Sequence, residues 1–314
     1  MHQTTEHLAA DQAGYARAEA ILLAGGLVAF PTETVYGLGG DARNDTSVAR
    51  IFEAKGRPRF NPLIVHLPDI DAARRHVDWP HAADILARAF WPGPLTLVLP
   101  LTPGHGLSPL VTADLPSLAV RVPAHPVAQE LLHSFGGPLA APSANPSGRI
   151  SPTMAEHVHH GLSGRIAAVL DGGPCDVGLE STIIGLTGAP TLLRPGGLPA
   201  EAVERALGQP LRQKGPAEAL SAPGQMQSHY APGAPVRLNA RHKRPGEVLL
   251  GFGKVECDLN LSPAGDLVEA AANLFGHLHK LDARAAPIAI APIPDTGLGK
   301  AINDRLSRAA APRA

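Results

Sequence analysis

Leu27-Val28-Ala29-Phe30-Pro31-Thr32-Glu33-Thr34-Val35-Tyr36-Gly37-Leu38-Gly39 changes character at one residue. The first four side chains are apolar and read as a short buried strand. Pro31 halts it, because proline cannot donate to a strand ladder. Two threonines, a glutamate and a tyrosine follow at once, and Gly37 and Gly39 give the backbone freedom on what reads as a loop. A buried strand that empties into a polar loop is the unit of a sheet-based fold carrying a site at its strand ends. A turn with threonine as its cap explains the same residues, so both readings stand for this segment alone.

The pattern repeats on either side. Residues 14–24 have helical periodicity and end at Gly25-Gly26, a glycine C-cap. Asp45 or Thr46 is placed to cap a helix running to Lys55, with Gly56 beyond it. Further strands are expected over 63–67, 95–99, 118–122, 167–170, 182–186 and 191–194, and helices over 82–90, 126–135 and 199–207. The fold class expected is α/β, a mixed α+β twisted sheet, with spacings too irregular for repeats or a β/α barrel. Residues 211–234 lack a sustained apolar period and read as a linker. Beyond them, a strand over 248–252, a helix over 267–281, a strand over 288–290 and a helix over 301–308 make a second, smaller Rossmann-like α/β domain. The expected division is therefore 1–210, 211–234 and 235–314.

Composition narrows the function. A hydrophobic share of 44% supports a substantial core, and the 32 prolines and 33 glycines are spread between apolar runs, which marks turns. Net charge is −1, with three tyrosines and two tryptophans, which argues against a broad grip on nucleic acid. Cys175 and Cys257 are far apart and supply no zinc framework. No apolar run is long enough to span a membrane and no leader pattern opens the chain, so the expected compartment is the cytoplasm. P-loop, dinucleotide-binding, zincin and nucleophile-elbow motifs are absent.

What remains is a set of polar clusters, each at the end of an apolar run. Lys55, Arg57 and Arg59 precede the strand ending at His66, and form either a solvated helix end or an anion clamp. Arg121 sits inside Ala119-Val120-Arg121-Val122 and needs a partner, either a buried carboxylate or a ligand. Pro142-Ser143-Ala144-Asn145 and Ser151-Pro152-Thr153 make stiff polar loops. Glu180-Ser181-Thr182, Arg194-Pro195-Gly196 and His229-Tyr230-Ala231-Pro232 complete the series. The Glu156-His157-Val158-His159-His160 run reads as a solvated helix face, and Cys175 has no base beside it.

In order along residues 14–210, together with Trp91-Pro92-Gly93-Pro94-Leu95-Thr96, these segments closely resemble the threonylcarbamoyl-adenylate synthase family, whose catalytic domain has the YrdC-like fold. The His229-Tyr230-Ala231-Pro232 linker and Gly297-Leu298-Gly299-Lys300-Ala301-Ile302-Asn303-Asp304-Arg305 resemble its two-domain branch. The resemblance implies a nucleotidyltransferase that makes L-threonylcarbamoyl-AMP from L-threonine, bicarbonate and ATP, for threonylcarbamoylation of adenosine in tRNA. Lys55 and Arg57 would be catalytic. Lys55, Arg57, Ser143, Asn145, Ser151, Arg194, His229 and Tyr230 would bind the nucleotide, and Thr32, His66, Arg121 and Ser181 would hold threonine. Magnesium is expected on the ATP phosphates, with no side-chain ligand. The linker would close over the site as a lid. The partner implied is the tRNA threonylcarbamoyl transferase complex; direct contact with tRNA is expected to be weak, and none with membrane.

Overall fold

The computed structural model describes residues 4–215 and 229–312. Among them the apolar runs become strands of one eleven-stranded mixed sheet. Its spatial order is Glu6–Ala9, Ala168–Asp171, Val28–Phe30, Gly37–Asp41, Leu139–Ala140, Ile64–His66, Ser117–Arg121, Leu95–Pro100, Thr182–Gly185, Thr191–Arg194 and Arg212–Gln213. Parallel and antiparallel pairs both occur: Ile64–His66 lies parallel to Ser117–Arg121, which lies antiparallel to Leu95–Pro100. Helices Asp45–Lys55 and His81–Phe90 cover one face, where Leu38, Val65, Leu97 and Val120 meet Ile51, Phe52 and Leu86. Helices Gln12–Leu23 and Pro126–Phe135 pack on Phe30, Leu139 and Leu170.

Three expectations need correcting. Helix Asp45–Lys55 is capped by Asn44, whose Oδ1 accepts from the amides of Thr46 and Ser47, and not by Asp45 or Thr46. Gly37 opens a strand instead of sitting in a loop. That strand, Gly-Leu-Gly-Gly-Asp, has almost no β propensity of its own, and neighbours decide it. Within the 156–160 run Glu156 and His160 are exposed as expected, but His157 is not, because its ring stacks on His279 at 3.8 Å.

A smaller four-stranded parallel sheet follows, in the order Val236–Arg237, Ile288–Ile290, Val248–Gly251, Leu259–Asn260. Helices Leu267–Asp282 and Leu298–Ala310 pack with it through Leu274, Phe275, Ile302 and Leu306. The same core takes in Val35, Ile150, Leu179 and Tyr230, so apolar packing is continuous across the two sheets' units. Gly178, at φ +70°, presses so close to the second unit that a Cβ would stand 2.6 Å from the Ala271 carbonyl oxygen. Most of the expected linker, residues 216–228, lies outside the described residues.

Candidate active site

Side chains alternate along a strand, and that alternation lays the floor of a cleft. Ile64, Val98, Ala119 and Ile183 form a small apolar cluster on one face of the larger sheet. Two positions along the same strands stand His66, Thr96 and Arg121, with His66 and Arg121 register partners. Ser181 ends the loop before strand Thr182–Gly185, and its hydroxyl lies 2.7 Å from that of Thr96.

The Pro31–Tyr36 loop closes over this row. Thr32 Oγ1 donates to the Val35 carbonyl at 2.7 Å and accepts from the Thr34 and Val35 amides. Thr32 and Thr34 form the turn and also line the cleft. Arg121 donates to Thr34 Oγ1 at 2.8 Å and to the Gly93 carbonyl at 3.2 Å. Its Nη2 lies 2.7 Å from Glu33 Oε1 in an ion pair without hydrogen-bond alignment. His66 is buried beside it. Burial first, then the Arg121 charge, lowers the imidazole to about 3, so it is neutral, and its Nδ1 has no hydrogen-bond partner among the described residues.

At the other end, cations gather on loops. Lys55 is buried and donates to the carbonyls of Ser143 and Asn145, with burial and then Arg57 pushing its ammonium well below the usual lysine range. It thereby staples the end of its helix to the 142–147 loop. Arg57 donates to the carbonyls of Asn61 and Pro62 and, lowered by burial to about 10, remains a cation at neutral pH. Arg194 donates to the Ser181 carbonyl at 2.8 Å. Asn145 donates to the Pro146 and Arg149 carbonyls.

The smaller unit and the segment before it complete the wall. Tyr230 is buried and packs edge-on against His229 at 4.1 Å and near Phe275 at 5.7 Å. Burial lowers His229 to about 3, with Glu180 opposing. Glu180 accepts the Ser151 hydroxyl on one oxygen and Arg305 Nε, at 2.6 Å, on the other. Burial pushes its carboxyl up, but Arg305, Arg194 and the serine hydroxyl outweigh burial and hold it below the usual carboxylate range.

Of the residues expected from sequence, Thr32, Arg57, His66, Arg121, Ser143, Ser181, Arg194, His229 and Tyr230 line this one cleft. Lys55, Asn145 and Ser151 stand behind its wall, the first two hydrogen-bonded to the Ser143 carbonyl and the third to Glu180. Gln227 and Ser228, before the His-Tyr pair, lie outside the described residues. Sequence reading gave no role to Glu33, Thr96, Glu180 or Arg305. Arg305 had a signal: it falls three residues after Ile302 and beside Leu306, within the apolar period of its helix, where a charge requires a partner. Burial raises the Cys175 thiol, followed by Glu33, which agrees with a non-nucleophilic cysteine. Among the described residues no group of three or more His, Cys, Asp or Glu side chains can hold a metal ion, and no helix is long and apolar enough to cross a membrane.

Residues 20–196 match the model for Sua5, YciO and YrdC proteins, described as telomere recombination. Residues 198–311 match the model described as threonylcarbamoyl-AMP synthase, C-terminal domain. The threonylcarbamoyl-AMP synthase of Bacillus subtilis is 42% identical over 98% of this chain and 96% of its own length. That of Pyrococcus abyssi is 42% identical over 91% of this chain and 90% of its own. The crystal structure of P. abyssi Sua5 complexed with L-threonine is similar at a TM-score of 0.90 and 37% identity, covering 98% of both chains. The chain belongs to the Sua5/YciO/YrdC family, in the branch that carries the threonylcarbamoyl-AMP synthase C-terminal domain.

Proposed function

We propose that this cleft condenses L-threonine, bicarbonate and ATP into L-threonylcarbamoyl-AMP and releases pyrophosphate. The observation that carries the reading is the meeting of Arg57, Arg121 and Arg194 with a neutral His66 and the Thr32 and Ser181 hydroxyls in one cleft. A substrate set with a carboxylate and a triphosphate calls for that distribution of charge. The same fold accepts L-threonine in the P. abyssi structure.

Arg121 receives the threonine carboxylate, with Thr32, His66 and Ser181 around the amino acid. Arg57 and Arg194 face the nucleotide, Ser143, His229 and Tyr230 wall it, and Asn145 and Ser151 shape that wall from behind. Lys55 holds the 143–145 loop and adds charge. The threonine amine attacks the carbonyl carbon of bicarbonate, forming an N–C bond and releasing water, to give a carbamate. A carbamate oxygen then attacks the α-phosphorus, the α–β P–O bond breaks, and pyrophosphate leaves. No covalent enzyme intermediate is required, so positioning and electrostatic stabilisation are the chain's contribution. Burial of the site keeps water from the labile carbamate. Magnesium enters this reading as an ion carried on the triphosphate. The product is a reactive mixed anhydride and is handed to the transferase complex that modifies tRNA.

Pyrophosphate release from ATP, measured with and without L-threonine and bicarbonate, tests the reading. Release that requires both, and is absent with L-serine, is expected. Release indifferent to threonine would replace it with another carbamoyl acceptor.

A further inference from the structure

Arg305 comes from the smaller unit, on helix Leu298–Ala310, and is fully buried. It spends its hydrogen bonds unevenly. Nε donates to Glu180 at 2.6 Å, Nη1 donates to Asp304 at 2.7 Å, and Nη2 has no hydrogen-bond partner among the described residues. A buried ion pair is poor material for stability alone, because desolvation offsets most of the attraction, and an unsatisfied N–H adds to the cost.

What the arrangement does supply is position. Among the described residues lining the cleft, Glu180 is the one carboxylate. Its second oxygen takes the Ser151 hydroxyl, and the Ser151 carbonyl accepts His279 Nε2, also from the smaller unit, at 3.1 Å. The Arg305 guanidinium lies 5.1 Å from the centroid of the Tyr230 ring, a cation–π distance. Tyr230 lines the same cleft and holds a φ of +62°, a backbone setting that a bulky side chain keeps only with support. One guanidinium thus steadies two side chains of the cleft wall, neither of which belongs to its own sheet.

We propose that Arg305 is a positioning residue for the nucleotide end of the cleft, fixing Glu180 by charge and Tyr230 by its cationic face, so that ATP binding depends on the smaller unit. The proposal rests on the reading of this cleft as the ATP site. Arg305 acts through its two neighbours, and threonine, at the Arg121 end, is outside its reach.

The test is titration calorimetry of a non-hydrolysable ATP analogue and of L-threonine on the full chain. Glu180→Gln or Arg305→Gln alone leaves a buried charge unpaired and can prevent folding. The double variant E180Q/R305Q buries no charge at this contact, and Asp304 keeps Arg308. Arg305→Lys retains the charge without the planar fork and carries the titration should the double variant lose its cooperative melt. Affinity for the ATP analogue is expected to fall roughly ten- to a hundredfold in both variants, the loss typical of a hydrogen bond to a charged group. Threonine affinity is expected to stay within about twofold. Wild-type affinity for the analogue in the double variant would overturn the proposal. A parallel loss of both ligands would also overturn it, by making the pair a fastener between the two units. Pyrophosphate release by the wild type is read alongside: its absence with ATP bound would refute the reaction and leave the role of Arg305 to the titration.

Discussion

Arg121 holds a carboxylate before any substrate arrives. Glu33 Oε1 lies 2.7 Å from its Nη2, and both side chains are buried, so the guanidinium enters the cleft already neutralised. If Arg121 receives the threonine carboxylate as proposed, that carboxylate has to share or displace Glu33. Glu33→Gln removes the competing charge and strands Arg121, a change expected to cost the empty protein about 3–5 kcal/mol. Added L-threonine should restore part of that loss, so the threonine-induced rise in Tm is expected to be larger in the variant than in wild type. Equal rises would show that Glu33 and the substrate do not meet at Arg121. At this scale sequence reading went only half way. An arginine inside an apolar strand announced that a partner exists, but nothing local links it to Glu33, which the fold brings in from another strand end. Lys55 teaches the same lesson: its charge was visible, whereas the Ser143 and Asn145 carbonyls it binds were not.

Strand Gly37–Asp41 shows why an element can hide. Strands such as Ile64–His66, Leu95–Pro100 and Thr182–Gly185 were legible because apolar and β-branched residues fill them. Gly37–Asp41 is held by its neighbours, pairing antiparallel with Val28–Phe30 on one side and Leu139–Ala140 on the other. Gly39 and Gly40 are required by packing. A Cβ on Gly40 would meet Ser47 Oγ at 2.6 Å, Leu27 Cδ2 at 3.0 Å and Ile51 Cδ1 at 3.2 Å. Gly40→Ala is therefore expected to destabilise the fold by roughly 1–3 kcal/mol through overpacking. Scanning calorimetry would show this as a fall in Tm of about 2–4 °C per kcal/mol for a chain of this class. An unchanged Tm would mean that helix Asp45–Lys55 can move away freely. Side-chain pattern exposes strands that bury side chains; it is silent on a strand whose work is to let others approach.

Across the whole molecule, the response to acid draws most on the buried His66 and His229 and the half-buried His157. His66, His157 and His229 are each lowered to about 3, chiefly by burial, against an ordinary value of 6.5. Below pH 6.5 the unfolded chain binds protons that the folded chain refuses at these imidazoles, so the stability they contribute is lost as pH drops from 6.5 toward 3 and is fully present above that window. Glu180, held below its ordinary value, adds loss of the same sign at the acid end. His157 contributes less than the other two because it is only partly buried. Tm measured from about pH 8 down to about pH 4 is expected to decline on the acid side, and His157→Gln should make the decline shallower. A Tm that holds steady to the acid end would contradict this. The bond between Arg305 and Glu180 also has a consequence in time. A ribosome makes this chain from Thr32 toward Arg305, so Arg57, Arg121 and Arg194 emerge well before the helix that carries Arg305. On that order of synthesis, a chain stalled before Leu298 carries Arg57, Arg121 and Arg194 while Glu180 still lacks its Arg305 partner.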